Sequence, residues 1–337
     1  MFHSTQQDVV DPTEPVGEEL LRIEGLKIHF PLGRRRRGQY AETVYAVDGV
    51  DFTLDKGQTV SLVGESGCGK STVARSLVGL VRPTAGSIRY KGMDLRTASR
   101  SQMRMLRREV QIVFQDPFAS VNPRMRVRDI IEEPLRVQGI ERDKFVAEEL
   151  LEMVGLQPVY ANRFPHEFSG GQMQRIGIAR ALALKPRVLV LDEPISALDV
   201  SIQAQIINLL MDLQDELGLS YLLIAHDVAV VRAVSHRVLV MYLGRIVEAG
   251  PEVLSDPGHP YTQALLSAIP SAEVSSRGSR KEIILEGDVP SPTDPPSGCR
   301  FRTRCWKAAD VCAEEEPGLL DRTGLGALNA CHFPVRE

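Results

Sequence analysis

Gly64-Glu65-Ser66-Gly67-Cys68-Gly69-Lys70-Ser71 fits the spacing G-x-x-x-x-G-K-[ST], which suits the binding of a nucleoside triphosphate. A backbone wrapped around a phosphate points several N–H groups inward, so small residues are needed there. A helix that follows the loop adds partial positive charge at its N-terminus. The candidate nucleotide contacts are Ser66, Gly67, Cys68, Gly69, Lys70, Ser71 and Thr72. Lys70 is expected to bridge the β- and γ-phosphates and the Ser71 hydroxyl to ligate Mg2+. Cys68 reads as a small filler whose backbone alone matters. The alternative is redox control, since a helix N-terminus lowers a thiol pKa.

A second candidate is Val188-Leu189-Val190-Leu191-Asp192-Glu193, an apolar run that ends in two carboxylates. In a parallel sheet, a buried strand of this kind delivers its acids beside the phosphate loop. Asp192 is then placed to hold Mg2+ and Glu193 to polarise an attacking water. A third group is Cys299, Cys305, Cys312 and Cys331, spaced C-x5-C-x6-C-x18-C. In a reducing compartment, clustered cysteines read as metal ligands sooner than as disulfides. Four thiolates suit either Zn2+ or a [4Fe–4S] cluster, and free thiols are the remaining alternative.

Short apolar runs and helical patterns alternate around these residues. Strands are expected at Leu21–Phe30 (with a register shift near Gly25), Tyr45–Leu54, Thr59–Val63, Ser87–Tyr90, Val110–Gln115, Arg187–Leu191, Tyr221–Ala225 and Arg237–Tyr242. Helices are expected at Ser71–Leu80, Val127–Val137, Arg142–Val154, Gly170–Leu184, Ile202–Leu217 and Val228–Ala233. The alternation predicts an α/β fold, a P-loop NTPase core with a mainly parallel sheet. The stretch Phe118–Leu184 interrupts it as an inserted helical subdomain. After Gly250, prolines and the small polar run Ser271–Arg280 mark a linker before a small cysteine-bearing C-terminal extension. The expected division is a flexible N-terminus at 1–19, an ATPase domain at 20–255 with its helical part at about 116–184, and the extension at 256–337.

The chain has 337 residues, of which 43% are hydrophobic and 25% charged, enough for a sizeable core. Its 40 basic and 44 acidic residues give a net charge of −4, so no overall basic field holds nucleic acid. No run approaches the roughly 18 apolar residues of a membrane span. Met1–Glu19 is polar and acidic, unlike a signal peptide. The basic run Arg34–Arg37 reads as a solvated loop, with contact to phosphate or lipid head groups as the alternative.

Between the phosphate loop and the acidic strand lies Phe168-Ser169-Gly170-Gly171-Gln172, and here the chain resembles the ATP-binding subunits of ABC transporters over roughly 21–253. The resemblance assigns roles to further residues. Gln115 senses the γ-phosphate, contributes to the Mg2+ site and joins the core to the helical subdomain. Ser169, Gly170, Gly171 and Gln172 cap the ATP held by a second ATPase subunit. Ser196, Ala197, Leu198 and Asp199 cross the dimer interface. His226 contacts the γ-phosphate and the attacking water. Adenine stacks on an aromatic upstream of the loop, Tyr40 or its rival Tyr45.

Gln115-Asp116-Pro117-Phe118-Ala119-Ser120-Val121-Asn122-Pro123-Arg124-Met125 narrows the resemblance to the oligopeptide/dipeptide importer ATPases, and to their F-type subunit most closely. His259-Pro260-Tyr261-Thr262-Gln263-Ala264-Leu265-Leu266 and Gly298-Cys299-Arg300-Phe301 agree with it. This kinship implies a peripheral protein on the cytoplasmic face of the membrane. Its partners are a second ATPase subunit, two membrane permeases met through Gln115 and Asn122–Leu135, and an extracytoplasmic substrate-binding protein. It also implies a [4Fe–4S] cluster on the four cysteines, with Zn2+ as the alternative. Similar subunits import nickel or glutathione. A soluble ABC ATPase of translation or DNA repair is the rival from another class.

Overall fold

The computed structural model describes residues 17–33, 42–141, 143–196, 198–268, 283–321 and 327–334. Tyr40, Arg34–Arg37, Ala197 and Ser271–Arg280 lie outside these residues. The chain opens with β1 (Glu19–Pro31), β2 (Thr43–Asp55), β3 (Thr59–Val63), α1 (Lys70–Leu77), β4 (Ala85–Tyr90), β5 (Met93–Asp94), α2 (Arg100–Glu109) and β6 (Val110–Val113). Three helices follow: α3 (Val127–Gln138), α4 (Val146–Met153) and α5 (Gly170–Leu182). Next come β7 (Val188–Asp192), α6 (Val200–Leu217), β8 (Ser220–Ile224), α7 (Val228–Val234), β9 (Arg237–Tyr242) and β10 (Arg245–Gly250). The C-terminal segment carries α8 (Pro260–Ser267), α9 (Val311–Glu314) and β11 (Leu328–Asn329).

Among the described residues, one seven-stranded sheet runs in the order β11-β10-β9-β3-β8-β7-β6. From β9 to β6 every pairing is parallel, while β10 and β11 are antiparallel additions at one edge. Strands β3, β7 and β8 are buried along their whole length and β9 at all but its first residue, which is why β7, β8 and β9 read as largely apolar runs. Successive side chains alternate between two cores. Leu189, Leu191, Leu223, Val238 and Val240 face the layer of α3 to α7. Val188, Val190, Leu222, Ile224 and Leu239 face α1 and the N-terminal strands.

The parallel α/β core expected from the sequence is present, with two differences. The first strands form a separate four-stranded antiparallel sheet in the order β2-β1-β4-β5. The shift expected near Gly25 appears as a change of register between Ile23 and Leu26, with Gly25 at φ +53. The second difference is the hairpin from β9 to β10. Its turn is Leu243-Gly244, both at positive φ (+42 and +79). Such turns normally announce themselves with Asn-Gly, and leucine gives no such signal.

Candidate functional site

Strand β8 lies between β3 and β7, and the three run in the same direction. Their C-terminal ends therefore deliver the phosphate loop, His226 and the Asp192-Glu193 pair to one edge of the sheet. Gly64 and Gly69 are needed there for close packing as well as for backbone freedom. A Cβ on Gly64 (φ +151) would lie 2.1 Å from the Met241 carbonyl oxygen, and one on Gly69 (φ +109) 2.1 Å from that of Ala46. Lys70 is 5% exposed and its Nζ donates to the carbonyls of Gly64 (2.8 Å) and Glu65 (2.9 Å). Cys68 is buried in the loop. Burial pushes its thiol up against the opposing pull of Lys70, contrary to the lowered thiol that redox control requires.

Ser71 Oγ donates to Asp192 Oδ1 at 2.8 Å. Burial raises the Asp192 carboxyl, opposed by the Ser71 hydrogen bond and the charge of Arg75. The hydroxyl and carboxylate are hard oxygen donors, a chemistry that fits Mg2+. Glu193 adopts φ +48, a left-handed conformation that costs a non-glycine residue about 1 kcal/mol. Its N–H donates to the Ile224 carbonyl at 3.0 Å, and its own carbonyl accepts from Ser196 N–H at 3.3 Å. This bend turns its carboxylate toward Gln115, whose Nε2 donates to Glu193 Oε2 at 2.7 Å. His226 Nδ1 stands 3.8 Å from the same oxygen.

Ser169 to Gln172 form a second group. Ser169 caps α5: its Oγ accepts from the Gln172 N–H at 3.4 Å, and Gln172 Oε1 accepts from the Ser169 N–H at 3.0 Å. Glycine is required at 171 because a Cβ would come within 2.5 Å of Ile202 Cγ2 on α6. A Cβ on Gly170 would lie 3.4 Å from Leu198. The Ser169 motif and the start of α6 after Asp199 are thus neighbours. Ser196 links them to the first group, accepting from Gln115 Nε2 at 3.4 Å.

The four cysteines are close enough for Cys305, Cys312 and Cys331 to raise the Cys299 thiol further. Burial is the main cause and pushes it up to about 11. Burial also raises Cys305 and Cys331. Among the described residues, no group of three or more His, Cys, Asp or Glu gathers closely enough to hold a metal ion. A single zinc needs four ligands converging on one point, so the expected zinc alternative does not fit this arrangement.

The structure also makes contacts that the sequence did not point to, and Arg300 and Arg304, which flank the first two cysteines, pair with Asp48 and Glu65. Asp48 accepts from His29 at 2.9 Å and also pairs with Lys27, Arg245 and Arg300. Glu248 is fully buried and accepts the N–H groups of Gly258 (2.6 Å) and His259 (3.2 Å). Tyr261 and Arg304 contact Glu65 in the phosphate loop. Tyr261 and Arg304 lie 196 and 239 residues from Glu65, so no local pattern marks their meeting with it, whereas the Glu248 contacts span only 10 and 11 residues.

A glycine-rich phosphate loop between β3 and α1, with an acidic strand one position removed across β8, defines a P-loop nucleotide triphosphatase of the ATP-binding-cassette class. Comparisons agree. The family model described as ABC transporter matches residues 47–196, and that of the oligopeptide/dipeptide transporter C-terminal region matches 247–312. The putative oligopeptide transport ATP-binding protein YkfD of Bacillus subtilis is 50% identical over 320 residues, covering 93% of this chain and 95% of that one. The oligopeptide transport ATP-binding protein OppF of Salmonella typhimurium is 52% identical, covering 89% and 92%. The dipeptide transport ATP-binding protein DppF of Haemophilus influenzae is 48% identical, covering 93% and 96%. The dimeric structure of MJ0796, a bacterial ABC transporter cassette, superposes with a TM-score of 0.61 at 27% identity, covering 69% and 98%. The chain belongs to the ABC transporter ATP-binding proteins.

Proposed function

We propose that this chain hydrolyses ATP to energise an importer of oligopeptides or dipeptides. The observation that carries the reading is the convergence of Lys70, Ser71, Gln115, Asp192, Glu193 and His226 at one sheet edge. The loop from Ser66 to Thr72 holds the triphosphate through backbone N–H groups, and Lys70 exchanges its loop carbonyls for phosphate oxygens. Ser71, Asp192 and Gln115 would hold Mg2+, which would supply positive charge to offset that of the triphosphate. Glu193 accepts a proton from the attacking water, held in place by Gln115, while His226 orients that water. Ser169 to Gln172 and Ser196 to Asp199 face a second ATPase subunit and cap its nucleotide.

The relatives named for oligopeptide and dipeptide transport support peptides as the cargo over nickel or glutathione. They equally disfavour a soluble translation or repair ATPase. Among the described residues, no helix is long and apolar enough to cross a membrane. In this reading, which the oligopeptide and dipeptide transport relatives support, membrane work runs through permease partners at the cytoplasmic face, with a binding protein supplying peptide. A groove of about 390 Å3 between β6, α3 and α5, lined by Val110, Pro134, Val137 and Arg180, suits a short permease helix. The resemblance alone points to Cys299, Cys305, Cys312 and Cys331, two of them buried and two half-buried, as the thiols that would hold a [4Fe–4S] cluster.

Glu193→Gln tests the chemistry. The variant is expected to bind MgATP and to lose turnover by about 10^2- to 10^4-fold; normal turnover would overturn the assignment. Assembled with the permeases, the chain is expected to hydrolyse ATP faster when binding protein loaded with peptide is added. A response to nickel or glutathione instead would overturn the cargo. Anaerobic iron and sulfide content with a visible spectrum tests the cluster, and colourless protein without iron would remove it.

A further inference from the structure

The C-terminal segment reaches back onto the phosphate loop at one residue, Glu65. Tyr261, in the first turn of α8, is fully buried, and its phenolic oxygen accepts the Glu65 N–H at 2.8 Å. Its ring is wedged against Tyr242 and Phe301, with centroids 4.7 and 5.4 Å away. Arg304 Nη1 donates to both Glu65 carboxylate oxygens, at 3.1 and 3.0 Å. From the loop's own side, Lys70 Nζ donates to the Glu65 carbonyl at 2.9 Å. All three polar groups of Glu65 are therefore engaged, two of them by the C-terminal segment.

A further tie runs through the β9–β10 turn. Arg300 donates to the Leu243 carbonyl, and the next residue, Gly244, donates its N–H to the Cys68 carbonyl at 2.9 Å. Residues at the start and middle of the loop are thus anchored, directly or through one turn, to residues 300 and 304.

These contacts bear on nucleotide binding in two ways. A pinned Glu65 amide fixes where the loop begins its wrap. A neutralised Glu65 carboxylate keeps negative charge from opposing the incoming triphosphate and from drawing on Lys70. Without Arg304, that carboxylate stands uncompensated beside the loop, and in a partly buried setting such a charge is felt strongly.

We propose that Tyr261 and Arg304 are positioning residues for the phosphate loop, so that the C-terminal segment sets nucleotide affinity without touching the nucleotide. The proposal rests on reading Gly64–Ser71 as the ATP-binding loop.

The test uses the full chain and MgATP. Affinity by calorimetry, KM, kcat and melting temperature are measured for wild type, Tyr261→Phe, Arg304→Ala, Glu65→Gln and Arg304→Ala/Glu65→Gln. Arg304→Ala is expected to weaken MgATP binding about three- to tenfold. Adding Glu65→Gln is expected to restore it to within about twofold, because the charge that needed Arg304 is gone. Tyr261→Phe keeps the ring and is expected to raise KM about threefold with kcat little changed. A purely structural role would lower the melting temperature, leave KM in place and show no rescue by Glu65→Gln. Arg304→Ala and Tyr261→Phe binding MgATP as wild type does, or an unrescued Arg304→Ala, would overturn the proposal while wild-type binding upholds the loop reading. Wild type that binds no MgATP would overturn both.

Discussion

Gln115 donates from Nε2 to Glu193 Oε2 at 2.7 Å, so the chain leaving β6 toward α3–α5 is tied directly to the carboxylate at the end of β7. Any movement of the helical layer that shifts Gln115 changes the surroundings of Glu193. Gln115→Ala is expected to lower kcat about tenfold, by more than it raises the KM for MgATP, because Lys70 and the loop N–H groups still hold the triphosphate while the Glu193 contact and one proposed Mg2+ oxygen are lost. Steady-state kinetics separate the two constants.

Ser71 is the hydrogen-bond donor to Asp192, whose carboxyl burial already pushes up. Ser71→Ala removes that donor and raises the carboxyl further. A carboxylate that is harder to ionise holds a cation less well. The variant is expected to need several-fold more Mg2+ for half-maximal turnover. It loses the Ser71 oxygen proposed to ligate the ion as well as the hydrogen bond that favours the ionised Asp192, and only the second loss should ease as pH rises. Magnesium titrations at two pH values check it.

Gly171 faces Ile202, and the Cβ of an alanine would sit 2.5 Å from Ile202 Cγ2. Gly171→Ala is expected to cost about 1–3 kcal/mol by overpacking α5 against α6. Gly171→Ala/Ile202→Ala should recover part of that loss, since truncating Ile202 opens the space. Thermal unfolding of the single and double variants distinguishes crowding from an effect of alanine alone.

Glu248 and His259 are buried neighbours with opposite responses to pH. Burial pushes Glu248 from its ordinary 4.5 up to about 7, and pushes His259 from 6.5 down to about 3. Between pH 4.5 and 7 the folded chain keeps a proton on Glu248 that the unfolded chain has lost, so stability falls as pH rises. Between pH 3 and 6.5 the unfolded chain carries a proton on His259 that the folded chain lacks, so stability rises with pH. The two contributions oppose each other from pH 4.5 to 6.5. His259→Asn retains an acceptor for the Tyr261 N–H, which His259 Nδ1 now takes at 3.0 Å. It is expected to unmask the Glu248 response, so the variant's melting temperature declines from pH 4.5 to 7 more steeply than wild type's.

The phosphate loop and the acidic strand were legible because each is a contiguous run whose spacing states its chemistry. Strands β7, β8 and β9 were legible because burial on both faces writes a largely apolar run, and β3 and β6 because short apolar-rich segments stand between helical patterns. Helix α2 was missed for the opposite reason: in Arg100–Glu109 only Leu106 is buried, leaving no apolar stripe to find. Its one local mark was the Ser99–Gln102 capping box. Strand β10 was hidden behind a leucine in a turn position that favours asparagine. Tyr261 and Glu65 are 196 residues apart, and no periodicity reports such a meeting. The left-handed bend at Glu193 was equally invisible, because glutamate carries no preference for it.

The two-residue strand β11 covers the outer edge of β10, with Glu248 opposite Asn329 and Ala249 opposite Leu328. Strand β10 carries Ile246, Val247 and Ala249, all buried. A fragment cut back to the nucleotide-binding portion would strip that cover and leave a bare apolar ribbon with unpaired backbone groups. Two such fragments can zip together edge to edge. Poor solubility of the shortened protein would then reflect a raw sheet margin, and it should not be mistaken for loss of a regulatory signal.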